Sequence, residues 1–90
     1  MTTRARIKDF IGDGEALLLE PEMFDDAIIG VAERCGQPTI VAYSRERCIE
    51  ILEREYEMEH DEADEYFEFN IAGGWLGEGT PVFIDERFAE

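Results

Sequence analysis

Fourteen consecutive residues, Glu55 to Glu68 (EYEMEHDEADEYFE), carry eight carboxylates and not one Lys or Arg. Carboxylates one helical turn apart repel one another, and an unpaired charge is too costly to bury. The tract must therefore turn its acids toward water or toward a positive surface. Only its few apolar positions can enter a core, so any fold containing it needs a one-sided, amphipathic arrangement here.

Such a charge run often belongs to a disordered segment, but disorder goes with low hydrophobicity, and this chain is 44% hydrophobic and 11% aromatic. At 90 residues it is expected to form one domain spanning residues 1–90, burying roughly 60–65% of its unfolded surface. The formal charge is −15 with a pI near 4.2. That balance argues against direct binding to nucleic acid, where Lys and Arg supply most of the non-specific affinity. It also argues against binding anionic membranes. The expected partners are basic protein surfaces or cations.

Cys35 and Cys48 make no disulfide framework, and no apolar signal segment is evident, so a reducing cytosol is the expected compartment. No apolar run approaches membrane-spanning length. Two cysteines with the single His60 are too few for a structural zinc site. No cofactor is expected.

Local patterns outline the elements. Thr3 to Phe10 reads as a short helix ended by Gly12 and Gly14. Ala16 to Leu19 is an apolar run that periodicity does not assign. Ala27 to Glu33 and Thr39 to Tyr43 read as strands joined across Arg34–Pro38, a β-hairpin. Ser44 caps a helix running to about Met58, with Cys48, Ile51, Leu52 and Tyr56 on its inner face. Asp61 caps a second helix to residue 72, with Ala63, Tyr66, Phe67, Asn70 and Ile71 inward and Gly73-Gly74 ending it. Thr80 to Ile84 reads as a last strand with Pro81 at its start. Alternating directions along strand, helix, helix and strand make that last strand antiparallel. The expected fold is α+β: a three-stranded antiparallel sheet covered on one face by a helical hairpin.

On the outer side of this hairpin the acids fall into stripes. Glu46, Glu50, Glu53 and Glu57 line the first helix. Asp61, Glu65 and Glu68 line the second, flanked by Glu62 and Asp64. Four like-charge i, i+4 pairs result, each unfavourable by about 0.2–0.5 kcal/mol. Arg47 and Arg54 relieve the first helix, with Glu50–Arg54 the expected pair, whereas nothing basic in sequence relieves the second. Such stripes either form a solvated face, a halophile surface included, or present a density of charge like that of a phosphate backbone. The second reading makes Glu50, Glu53, Glu57, Asp61, Glu62, Asp64, Glu65, Glu68 and the neighbouring aromatic Phe69 the expected contact set for a basic groove.

Other constellations are weaker. Asp25-Asp26 with Glu33 or Glu78 can hold a divalent cation, but paired Asp residues more often close a turn. His60 as a base with Cys48 as nucleophile lacks an oxyanion motif. Asn70, on the inner face, is expected to bond the backbone of the Gly73–Thr80 loop. That loop is glycine-rich but lacks the Lys and the spacing of a phosphate cradle. Trp75 within it is expected to cover the core.

The segments FDDAIIGVAER (Phe24–Arg34), DEADEYFEFN (Asp61–Asn70) and GGWLGEGTPVFI (Gly73–Ile84) resemble a recurrent set of small uncharacterised proteins of tailed-phage genomes. That set shares an FDD-aliphatic-G segment, an EYFEFN helix and a G-x-W/Y-x-GE-x-TP-x-F ending. The resemblance spans Phe24–Ile84, and the first 20 residues and the tail depart from it. It implies a phage or mobile-element origin, places the protein in the host cytoplasm, and singles out Asn70, Gly77, Glu78, Thr80 and Pro81. It implies no chemistry. Together with the stripes it leads to the expectation of a non-enzymatic inhibitor, of the anti-CRISPR or anti-restriction type, that occupies the basic groove of a nucleic-acid-handling host protein. The alternatives are a metal- or ligand-binding accessory module using Asp25, Asp26 and Glu78, or a scaffold that self-associates through its sheet.

Self-repulsion at −15 should weaken the fold wherever it is unscreened. The thermal midpoint should rise by several degrees between about 10 mM and 500 mM NaCl, as the screening length falls from about 30 Å to a few ångströms. A flat response in a melting series would show that the acids are already compensated, and a requirement for molar salt would mark a halophile surface.

Overall fold

The computed structural model describes residues 3–12, 16–19, 22–33, 35–74, 77 and 79–88. Expectations for Gly14, Arg34, Trp75 and Glu78 lie outside the described residues. The chain forms helix α1 (Thr3–Ile11), a 3₁₀ turn (Glu22–Ala27), strands β1 (Ile28–Ala32) and β2 (Ile40–Ser44), helices α2 (Arg45–Glu55) and α3 (His60–Phe67), a π turn (Glu68–Ala72), strand β3 (Val82–Ile84) and a second 3₁₀ turn (Glu86–Phe88). The fold is α+β, with a three-stranded sheet of order β1-β2-β3 packed against helices.

β1 and β2 form the expected antiparallel hairpin, pairing Val31 with Val41 and Ala32 with Ile40. A bulge between Ile28 and Gly30 leaves Ile29 unpaired, and its side chain is exposed. β2 is the central strand, and Val41, Ala42, Tyr43 and Ser44 are all buried.

The last strand corrects the expected topology. β3 runs parallel to β2, pairing Ala42 with Val82, Tyr43 with Phe83 and Ser44 with Ile84. Counting reversals assumes that every connection is tight. The segment 73–81 is long enough to span about 30 Å at 3.3–3.6 Å per residue, comparable with the molecule's extents of 37 × 29 × 28 Å. It returns the chain to the end of the sheet where β2 begins. The helical pair thereby becomes the crossover that a parallel pair requires.

Ser44 ends β2 and caps α2. Its Oγ accepts the Arg47 N–H at 3.3 Å and donates a short hydrogen bond to the Glu86 carboxylate, so the cap is buried but satisfied. Cys48, Ile51 and Leu52 face inward as the spacing predicts, joined by Ile49. Tyr56 does not. α2 stops at Glu55, and Glu57 takes a positive φ of 54°, a left-handed conformation costing roughly 1–2 kcal/mol outside glycine. Tyr56 swings out at the turn and packs on Tyr66 of α3, ring centroids 6.4 Å apart.

The cap of α3 stands two residues before the expected Asp61, which lies instead inside the first turn of the helix (His60–Phe67). Glu59 is its N-cap, and Glu62 reaches back to accept the Glu59 N–H at 3.3 Å, one arm of a capping box. Ala63 and Phe67 are buried as expected, whereas Tyr66 and Asn70 are exposed. The π turn explains Asn70: its wider winding shifts the helical phase after Phe67. The Asn70 amide donates to the Tyr66 carbonyl at 3.2 Å and not to the glycine-rich loop. Gly73 follows in a right-handed conformation, where a Cβ would come within 3.0 Å of the Glu68 carbonyl oxygen. Close approach, and not a left-handed cap, is what favours glycine there.

Gly12, at φ +63°, is the left-handed residue that ends α1, its N–H bonding the Lys8 carbonyl at 2.9 Å. α1 is tied down by buried Arg4. Its Nε donates to both Asp25 carboxylate oxygens at 3.1 and 2.9 Å, and Nη2 donates to the Leu19 carbonyl at 2.8 Å. The Leu19 N–H in turn donates to the Tyr43 hydroxyl at 2.8 Å, and the Leu17 N–H to the Gly79 carbonyl at 2.9 Å. Tertiary hydrogen bonds thus assign the run that periodicity left open.

Phe67 and Phe69 test this packing. The first is 1% exposed and meets Phe83 edge-on with centroids 5.0 Å apart; the second is 77% exposed. Phe67→Ala should cost about 3–5 kcal/mol, lowering the thermal midpoint by about 15 °C or more. Phe69→Ala should stay within about 0.5 kcal/mol of wild type. Equal effects in denaturant titrations would contradict the assigned phase of α3.

Candidate functional site

The hairpin α2–α3 is anchored by its buried residues, and its outer side carries the acids. Residues 45–72 hold eleven carboxylates against three arginines. Glu50, Asp61, Glu62 and Glu65 are exposed, and Glu53 is partly so. Among the described residues Glu50, Asp61 and Glu65 make no hydrogen bond or ion pair.

The two stripes are not continuous. Glu57 leaves the α2 stripe because the helix ends before it, so that row runs only through Glu46, Glu50 and Glu53. On α3 the expectation that nothing basic relieves the acids is corrected by Arg45. Its Nη2 lies 2.5 Å from both the Asp64 Oδ1 and the Glu68 Oε1, while its guanidinium carbon sits 5.3 Å from the Phe67 ring centroid. Those carboxylates raise the Arg45 pKa, the Glu68 hydrogen bond being the larger cause. Sequence spacing did not reveal this, because Arg45 lies on the other helix, 19 residues from Asp64 and 23 from Glu68. Asp64 and Glu68 therefore hold the hairpin together as well as facing outward. Similarly, Arg54 pairs with its neighbour Glu55 at 3.1 Å and not with Glu50.

Between the helices runs a groove of about 380 Å³. Glu46, Glu50, Glu53 and Asp64 give it an acidic lining, interrupted by Arg45, Arg87 and His60. His60 Nδ1 stands 3.4 Å from Glu53 Oε2, an ion pair when the imidazole is protonated. Arg87 chelates Asp85 through bonds of 2.6 to 3.1 Å, holding that carboxyl down at about 2. The face is thus acidic toward its outer ridge and mixed in charge at the groove. Phe69 stands beside Glu68 and Glu65 and is the most exposed of the large hydrophobic side chains described.

The competing constellations are placed elsewhere. Asp25 is committed to Arg4, Asp26 is exposed, and among the described residues no group of three or more His, Cys, Asp or Glu side chains is arranged to hold a metal. Cys48 is fully buried, and desolvation pushes its thiol up to about 12, the reverse of what a nucleophile needs. His60 is exposed at the start of α3. Among the described residues no helix is long and apolar enough to cross a membrane. Comparison of the chain with protein-family models, with curated proteins and with solved structures yields no match, so the reading of this face rests on its geometry.

The buried thiol and the buried phenol make a joint prediction. Cys48 shifts from 9.0 to about 12 and Tyr43 from 10.0 to about 12, both chiefly by desolvation. A raised folded-state pKa contributes stability that is complete below the unfolded value and is lost as pH climbs through the folded one. Stability should hold to about pH 9 and fall between pH 9 and 12. At pH 8 a thiol reagent should label Cys35 promptly and Cys48 at least about 100-fold more slowly. Two equally fast thiols in the native protein would refute the burial.

Proposed function

We propose that this chain is an acidic binding protein whose helical hairpin imitates the charge of a nucleic-acid backbone and occupies the basic groove of a nucleic-acid-handling host protein. A counter-defence role of the anti-CRISPR or anti-restriction kind, exercised in the host cytoplasm, is the setting that the tailed-phage resemblance favours. The observation that carries the reading is the set of Glu50, Asp61 and Glu65. They stand exposed on two packed helices, among like charges, without a hydrogen bond or ion pair among the described residues. Their mutual repulsion opposes folding, offset in part at Asp61, which lies in the first turn of α3 where the helix N-terminus favours a carboxylate.

The proposed contacts are ranked by exposure and by existing ion pairs. Glu50, Glu53, Glu57, Asp61, Glu62 and Glu65 supply uncommitted or lightly committed charge. Asp64 and Glu68 contribute less, because Arg45 neutralises part of their field. Phe69 supplies an apolar anchor at the edge of the charged face, of the kind that concentrates binding energy in an interface. Binding of this class is fast and salt-sensitive, because opposite potentials steer the encounter.

The test is capture of a partner on the immobilised protein from bacterial lysate, followed by measured affinities. The double variant Glu50→Gln, Glu65→Gln keeps side-chain size while removing two charges. Close charge pairs across an interface are coupled by about 1.5 kcal/mol or more, so partner affinity should fall at least about tenfold. The free protein should melt slightly later. DNA or RNA should compete for the partner, and affinity should fall steeply with salt. A captured partner whose affinity ignores both the Gln substitutions and added nucleic acid would reduce the acidic face to a solvated surface.

A further inference from the structure

We infer that the groove between α1 and β1 is a docking site for the Phe69 segment of a second copy of this chain, so that copies associate head to tail. The groove has a volume of about 410 Å³. One wall is the α1 face carrying Arg6, Ile7 and Phe10, at i, i+1 and i+4, and the other is β1 at the sheet edge, Ile28 to Val31. The bulge that frees Ile29 from pairing leaves its side chain exposed at this wall. Phe10 is 65% exposed, second only to Phe69 at 77% among the large hydrophobic side chains described.

The local charges of the two patches are opposite. α1 carries Arg4, Arg6 and Lys8 against Asp9 alone, a basic segment in a chain of charge −15. Arg4 is engaged with Asp25, while Arg6 is exposed and lines the groove. Residues 60–72 carry five carboxylates and no Lys or Arg. Glu65 lies one turn before Phe69, as Arg6 lies one turn before Phe10. Phe69 seated in the groove brings Glu65 or Glu68 of one copy toward Arg6 of the other. A phenyl ring is a suitable occupant, since an aromatic side chain has about 150–250 Å² to remove from water, and Ile7, Phe10, Ile29 and Val31 line the groove beside Thr3 and the Arg6 cation.

The patches do not cover one another within one molecule, since Phe10 and Phe69 both stay exposed. α1 packs beside β1 at one edge of the sheet, whereas the π turn follows Phe67, which packs on Phe83 of β3 at the other. A contact between different patches at opposite edges is heterologous, and such contacts extend into rings or chains. Each copy carries −15, so association needs salt to screen the long-range repulsion. It is weak, as befits a small interface. The proposal shares Glu65 and Phe69 with the acidic face described above but does not rest on its proposed function, because it is tested without any partner.

Light scattering from about 10 to 500 µM protein in about 0.3 M NaCl, where screening is shorter than about 8 Å, should show a weight-average mass rising above 10.3 kDa. Phe69→Ala and Arg6→Glu should each hold the mass at the monomer value, with melting midpoints near wild type; Arg6→Ala serves as a second groove variant. Mixed in equal amounts, the two variants hold one intact groove and one intact Phe69 between them. They should form a dimer that grows no further, at twice 10.3 kDa. A wild-type mass that stays monomeric overturns the proposal and leaves the groove to an acidic peptide of another protein. Association that survives Phe69→Ala overturns it in favour of pairing between β1 edges, and a monomeric mixture overturns the head-to-tail geometry.

Discussion

Phe67 is the point on which the other elements converge. It is buried on α3, meets Phe83 of β3 edge-on, and carries the Arg45 guanidinium of α2 near its ring. Phe83 in turn packs on Tyr43 of the central strand, with ring centroids 6.0 Å apart. One aromatic chain therefore links the helical pair to the parallel strand that ends the sheet. Aromatic pairs and cation–π contacts each contribute about 0.5–1.5 kcal/mol beyond area burial, but the geometric consequence matters more. With Phe67 inward, the acids at 61, 65 and 68 can only point away from the sheet.

The same junction explains how a charge-dense helix is tolerated. Arg45 opens α2 and lies against Phe67, and from there it reaches Asp64 and Glu68 on α3. Partly buried, it gains more from these pairs than a fully exposed arginine would, since solvent screens it less. Glu50, Asp61 and Glu65 on the outer side have no hydrogen-bond or ion-pair partner among the described residues. Their mutual repulsion works against the fold, which is why the function proposed above is placed on this acidic ridge.

Helix α1 carries three basic residues against one acid, within an N-terminal region that is acidic as a whole. Arg4 binds Asp25 and the Leu19 carbonyl, the Leu19 N–H binds the Tyr43 hydroxyl, and a covering segment is thereby fixed across the core. α1 is left with its remaining basic residues outward, at the opposite edge of the sheet from Phe69. The molecule is thus strongly acidic in total, with a locally basic α1 and an exposed phenylalanine on α1 and on the π turn.

Periodicity by itself identified the β-hairpin, the two helices, the Ser44 cap and the inward Cys48, Ile51, Leu52, Ala63 and Phe67, because these depend on neighbours within a turn or a tight loop. It also placed the acids outward and Phe69 off the core face, since an amphipathic helix has one dry side. It did not determine the direction of β3, because a nine-residue connection is long enough to reverse or to return, and the choice rests on tertiary contacts such as those of Phe83 with Tyr43 and Phe67. Nor did it determine the exposure of Tyr56 and Asn70, which follow from a left-handed Glu57 and a π turn that no local propensity encodes. The Arg45 and Arg4 pairs join residues about 20 positions apart. Such pairings carry no sequence period, because an ion pair is selected by the distance between folded elements and not by spacing along the chain.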